Sequence, residues 1–178
     1  MYQLDAIGAA SDMVMYTIII IAVIQDFCFM RISNRLILVG LAAGLFFRMC
    51  IGGPAAFVPF LGNVAVPVIV LYLLFLAGAI GAGDIKLFSV IGGFVHIRQL
   101  AVCMILSFVI GAVLSLAKMI RNQNLQFSLY QAFGYFAGLF WGEYKTYRRD
   151  LLGEKNLIHF SFAICLGILI AKGGGLCA

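Results

Sequence analysis

Long apolar runs separated by short polar segments constrain this fold more than any other feature. A helix that crosses a bilayer needs about 20 mostly apolar residues, and six segments approach that length: 13–30, 36–50, 64–80, 85–95, 100–120 and 157–171. Because the second and fourth are short, we expect their helices to extend into the flanking turns or to lie obliquely. The pattern predicts an all-α, polytopic membrane protein with about six transmembrane helices.

Composition agrees with this prediction. Hydrophobic residues make up 64% of the 178 residues and charged residues only 11%, too few to cover the surface of a soluble domain. No shift in composition divides the chain, so we expect one membrane-embedded domain over residues 1–178. The first twelve residues contain Asp5 and Asp12 but no lysine or arginine, the reverse of a signal-peptide n-region. We therefore expect the first apolar segment to be a retained helix.

The basic residues predict the orientation. The net charge is +5, but the basic residues lie between apolar runs, as juxtamembrane anchors do, and form no stripe for nucleic acid. If the N-terminus is outside, the outer segments hold only Arg48, Arg98 and Lys172. The cytoplasmic segments then hold the other nine: Arg31, Arg35, Lys86, Lys118, Arg121, Lys145, Arg148, Arg149 and Lys155. The bias favours an outside N-terminus. For the aromatic segment 127–142, the same bias favours a helix that lies at the cytoplasmic interface, in the last loop, over a seventh transmembrane span.

The cysteines give no sign of a metal site. All five are widely scattered, with no CxxC pair and no cluster with histidine, which argues against structural zinc and against a disulfide framework. We expect neither metal nor cofactor.

Two carboxylates stand out from the other acidic residues. Asp26 falls within the first apolar run, and Asp84 lies between Gly83 and the apolar residues that follow. An ionisable group at membrane depth costs about 2.5–3.5 kcal/mol on insertion scales and marks a candidate functional site. The alternative is that each lies near a helix end and reaches water or a nearby basic residue.

The predicted topology brings Asp26 and Asp84 to the same cytoplasmic depth. Two adjacent carboxyl groups cannot both ionise near neutral pH, so one can activate water while the other protonates a peptide carbonyl. The neighbouring Gly81 and Gly83 could give a substrate backbone access to Asp84, or they could simply allow tight helix packing. A small transporter or proton relay using the same two acids stays open, as does a non-catalytic assembly protein.

Three motifs resemble those of type IV prepilin peptidases, the GxGD intramembrane aspartic proteases. Gly81-Ala-Gly-Asp-Ile-Lys86 is similar to the GxGDxK motif. Asp26 is followed by Ile32-Ser33-Asn34, at the interval of that family's Ile-Pro-Asn but with serine in place of proline. The segment from Ile158-His159-Phe160 resembles the start of the family's last span, again without its proline.

The resemblance implies a function and a site. Asp26 and Asp84 would be the catalytic acids, with Gly81, Gly83, Lys86 and Asn34 in supporting positions. The enzyme would lie in the bacterial cytoplasmic membrane and cut the basic leader from a prepilin or pseudopilin at the cytoplasmic face. The chain lacks the paired CxxC motifs of the methyltransferase portion of larger members, so we expect cleavage without N-methylation. The compact size and the long loop before the last span resemble the Tad/Flp-pilus branch.

Overall fold

The computed structural model describes residues 2–77, 79–121 and 160–173, and within these ranges every regular element is helical. The six α-helices are α1 (Tyr2–Phe29), α2 (Asn34–Gly52), α3 (Phe57–Leu76), α4 (Ala82–Phe94), α5 (Ile97–Arg121) and α6 (Phe160–Gly173). A short 3-10 helix, Pro54–Ala56, connects α2 to α3. The interfacial helix predicted for 127–142 lies outside the described residues.

Four of these helical segments are long and apolar enough to cross a membrane. They are Asp5–Phe29, Asn34–Gly52, Pro54–Leu76 and Ile97–Ala117. The remaining two helices, α4 and α6, are shorter, with 13 and 14 residues. The prediction of an all-α, polytopic membrane protein is confirmed.

The helix ends differ from the sequence prediction mainly at the starts of α1 and α3. Helix α1 begins at Tyr2 instead of residue 13, so Asp5 and Asp12 lie within it. Helix α3 begins at Phe57 instead of residue 64, because Pro59 falls in the first turn, where its missing N–H costs no helical hydrogen bond. As expected, α2 extends beyond its apolar run in both directions.

The chain forms two compact units, residues 1–110 with 159–178, and residues 111–158. Of the second unit, the structure describes only the C-terminal part of α5. The core and the candidate site described below belong to the first unit.

Helix α4 is the buried centre of the first unit. Every residue from Leu87 to Gly93 is buried, and the same core includes residues of α1, α3, α5 and α6. A helix that is apolar on all sides packs within protein, so its length need not match the bilayer. The first turn of α4, which carries Asp84, is therefore positioned by the helices around it.

Glycines allow the neighbouring helices to approach α4 closely. A Cβ atom on Gly92 would lie 2.4 Å from the Asn63 carbonyl oxygen of α3, and one on Gly40 of α2 would lie 2.7 Å from Val90 Cγ1. Membrane helices commonly pack through such small residues, because no hydrophobic force drives them together in lipid.

Arg48 of α2 caps the C-terminal end of α4. Its guanidinium donates hydrogen bonds to the carbonyl oxygens of Gly93 at 3.3 Å and Val95 at 2.5 Å, and Asn63 Nδ2 donates to Val95 O at 3.0 Å. A cation at this position satisfies terminal carbonyls and complements the helix dipole. The sequence pattern places Arg48 among the juxtamembrane anchors, but its guanidinium instead hydrogen-bonds carbonyl groups of the protein.

Candidate active site

Asp26 lies in the last turn of α1, close to the point where the helix ends. The Met30 N–H donates to the Asp26 carbonyl oxygen at 3.0 Å, and Met30 has a φ of 50°. A left-handed residue commonly terminates a helix in this way. The Asp26 side chain is half-buried, so it borders both the protein interior and its surface.

Asp84 lies in the first turn of α4, near a helix N-terminus, whereas Asp26 lies near a helix C-terminus. Gly81 is the N-cap, and its carbonyl oxygen accepts the Asp84 N–H at 3.2 Å. An acidic group near a helix N-terminus is stabilised by the helix dipole. A Cβ atom on Gly81 would lie only 3.1 Å from Asp84 Oδ2, so a larger residue there would crowd the carboxyl group.

The fold brings the two predicted acids into one cluster. Helices α1 and α4 pack against each other, and the Asp26 carboxyl group interacts electrostatically with that of Asp84. Both side chains are half-buried. Two neighbouring carboxyl groups, one ionised and one protonated, can act together on a water molecule.

Ser161, at the start of α6, contacts Asp26 directly. Its Oγ donates a hydrogen bond to Asp26 Oδ2 at 2.6 Å across 135 sequence positions, and the side chain is fully buried. No sequence motif marks Ser161 as a site residue. Its only signal was a hydroxyl between two phenylalanines, which is common in apolar helices.

The turn that follows Asp26 keeps proline-like geometry without proline. Ser33 has φ −64° and ψ 132°, and this φ is the value that a proline ring imposes. Unlike proline, Ser33 has an N–H, which donates to Gln25 Oε1 at 2.9 Å. Its Oγ also accepts the Arg35 N–H at 3.3 Å, capping α2. Serine therefore fits at the position where the Ile-Pro-Asn motif has proline.

The predicted supporting residues lie at or beside the start of α4. Gly81 and Gly83 flank the start of α4, and Lys86 Nζ donates to Asn34 Oδ1 at 2.8 Å. This bond joins the first turn of α2 to the beginning of α4. A Cβ atom on Gly83 would lie 3.5 Å from Ile32 Cδ1, so the turn before α2 also contacts this region.

A metal-binding group was not expected from the sequence. Among the described residues, no three histidine, cysteine or acidic side chains are grouped so that they could hold a metal ion. The expectation that the whole protein uses neither metal nor cofactor stays a prediction.

The fold and this cluster define a polytopic helical membrane protein with two interacting carboxyl groups at helix ends. The model of the type IV leader peptidase family matches residues 13–116, more than half of the chain, and the chain belongs to that family. The matched region includes both Asp26 and Asp84. The resemblance to prepilin peptidases is thereby confirmed, and the protein is a membrane peptidase of the leader-peptidase type. No curated protein and no solved structure matched the chain.

Proposed function

We propose that this leader peptidase is an aspartic endopeptidase in which Asp26 and Asp84 act together. The observation that carries the proposal is the packing of α1 against α4, with Asp26 in the last turn of one helix and Asp84 in the first turn of the other. The two acids are near enough for the charge of one to act on the other. Residues this far apart in sequence meet only through the fold, and their half-buried side chains can be reached by water and substrate.

The chemistry follows from one shared proton. The ionised carboxyl group takes a proton from water, whose oxygen attacks the peptide carbonyl carbon, while the protonated group gives its proton to the carbonyl oxygen. As the tetrahedral intermediate collapses and the C–N bond breaks, the acid that took the water proton gives it to the leaving nitrogen, and a hydroxyl of the intermediate returns a proton to the other acid. Both acids take part in each half of this cycle, so neither can be replaced by an amide.

The substrate is a prepilin or pseudopilin with a basic leader before a hydrophobic helix. Gly81 and Gly83 leave a bare backbone beside Asp84, which supports access for an extended peptide. We place the acids near the cytoplasmic face of the bacterial inner membrane, with the N-terminus outside, because the basic residues favour that orientation.

Two finer assignments follow from the sequence. None of the five cysteines forms a CxxC pair, so we expect this chain to cleave without N-methylation. We also place it in the Tad/Flp-pilus branch.

Co-expression with a candidate prepilin, read by a gel shift on leader removal, tests the proposal. Asp26→Asn and Asp84→Asn should each lower the cleavage rate on the order of a hundredfold or more, while the proteins still accumulate in the membrane. Asp5→Asn is the matched control, because Asp5 is exposed near the start of α1. Substantial processing by either active-site variant would rule out the pair.

A further inference from the structure

We infer that Ser161 is a positioning residue for Asp26: its hydroxyl holds carboxyl oxygen Oδ2 and thereby fixes the orientation of the carboxyl group. The inference rests on the proposed function and adds a residue from α6 to the site. It follows from four features of the Ser161 environment.

The first feature is the hydrogen bond itself. The distance from Ser161 Oγ to Asp26 Oδ2 is 2.6 Å, within the 2.5–2.7 Å range typical of a hydroxyl that donates to a carboxylate. This bond ties one of the two carboxyl oxygens of Asp26 to helix α6. The contact therefore distinguishes the two oxygens of Asp26.

The second feature is the direction of the hydroxyl. Ser89 and Ser107 are also buried, and each donates to a carbonyl of its own helix, Ile85 O at 3.1 Å and Cys103 O at 2.6 Å. Such local bonds are the common arrangement for serine within helices. Ser161 instead donates to a side chain of another helix, at the residue predicted to be catalytic.

The third feature is the contrast in burial. Ser161 has no exposed surface, whereas the Asp26 side chain is half-exposed. Water does not compete for the donor, and a hydrogen bond in such surroundings is electrostatically stronger than one in water. The carboxyl group is thus held from its buried side by a donor that water cannot reach.

The fourth feature is a rigid support. Phe160, next to Ser161, packs against Phe88 with ring centroids 6.4 Å apart and against Phe108 with centroids 5.5 Å apart. Aromatic packing of this kind fixes the start of α6 relative to α4 and α5. A donor on a rigid element can restrict the terminal torsion of an aspartate, which is otherwise broad.

Restricting that torsion matters for rate more than for binding. Proton transfer requires the reacting atoms to be aligned, and small misplacements of a catalytic group cost up to about a hundredfold. Ser161 has no exposed surface, so its loss should leave substrate affinity unchanged.

The test uses the purified full-length protein and a synthetic prepilin leader peptide. Ser161→Ala should lower kcat by about tenfold or more, with KM within twofold and a melting temperature in detergent close to the parental value. Ser107→Ala is the matched control. It removes an equally buried hydroxyl that donates to its own helix, and kcat should stay within twofold.

The outcomes separate this inference from the proposed function. If the Asp26→Asn protein still cleaves, the aspartic mechanism itself fails. If Asp26→Asn is inactive but Ser161→Ala keeps the parental kcat, only the positioning role fails. A Ser161→Ala protein whose sole defect is a raised KM, or whose activity falls only in proportion to folded protein, would also overturn it.

Discussion

Gln25 Oε1 accepts the backbone N–H of Ser33 at 2.9 Å, which closes the turn between α1 and α2 directly after Asp26. The bond satisfies a donor that proline would not possess. Gln25 and Ser33 therefore act as a pair, and Gln25 is needed because residue 33 has an N–H.

A double-mutant cycle tests this pairing. Gln25→Leu should lower the free energy of unfolding by about 1–3 kcal/mol, because it leaves a partly buried N–H without its acceptor. In a Ser33→Pro background, the same Gln25→Leu change should cost much less, since no N–H remains. Ser33→Pro itself loses the hydroxyl cap of α2, at about 1 kcal/mol. Denaturation in detergent measures all four proteins, and an equal cost of Gln25→Leu in both backgrounds would contradict the pairing.

Gly83 offers a clean test of backbone access to Asp84. An added Cβ would meet Ile32 Cδ1 at 3.5 Å, an ordinary van der Waals contact, so Gly83→Ala should fold and accumulate normally. If the bare backbone admits substrate, the variant should nevertheless cleave prepilin several-fold more slowly, and more slowly than the control Ala82→Ser. A proton relay would make no such demand on the backbone. A stable Gly83→Ala protein with parental activity would defeat the proposed role.

An added methyl group at Gly92 should lower the stability of the protein, unlike one at Gly83. The Cβ added at Gly92 would lie 2.4 Å from the Asn63 carbonyl oxygen, and a backbone atom cannot move aside as a flexible side chain can. Gly92→Ala should therefore separate α3 from α4 and cost about 1–3 kcal/mol or more. Gly62→Ala on α3 is the control, because nothing lies within 4 Å of its added Cβ. Equal melting temperatures for the two variants would argue against the close approach of α3 and α4.

Arg48 should contribute to stability through the end of α4. Arg48→Met removes the donors to the Gly93 and Val95 carbonyl oxygens, and we expect a loss of about 1–3 kcal/mol. Arg48→Lys should recover part of it, since a single ammonium cannot reproduce the guanidinium fork. Arg98→Met is the control, because Arg98 is exposed. Unfolding in detergent should show Arg48→Met as the least stable variant, Arg48→Lys as intermediate and Arg98→Met as the most stable. An Arg48→Met protein as stable as Arg98→Met would exclude the cap.

The orientation can be tested at two exposed turn positions. Residue 31 lies after α1, and residue 55 lies in the 3-10 helix after α2. The substitutions Arg31→Cys and Ala55→Cys are made one at a time in a cysteine-free background. With the N-terminus outside, an impermeant thiol reagent should label residue 55 in intact cells and label residue 31 only after lysis. The reverse pattern would invert the topology and place the acids at the outer face.

The sequence alone determined the class of fold and singled out two acids as the candidate site. The lengths of the apolar runs reflect the thickness of the bilayer, a constraint that acts on each segment separately and needs no knowledge of its neighbours. Asp26 and Asp84 were identified for the same reason, because a carboxylate in an apolar run is costly wherever the run packs.

Only the tertiary structure decided what Ser161, Gln25 and Arg48 do. Each is a polar side chain in or beside an apolar helix, and such a side chain can bond its own backbone, another helix or the headgroups. The choice depends on the rotation and depth of one helix against another, which close contacts between helices, such as those at Gly40 and Gly92, help to set. Because those contacts join residues distant in sequence, no local pattern of residues encodes them, and only the assembled bundle does.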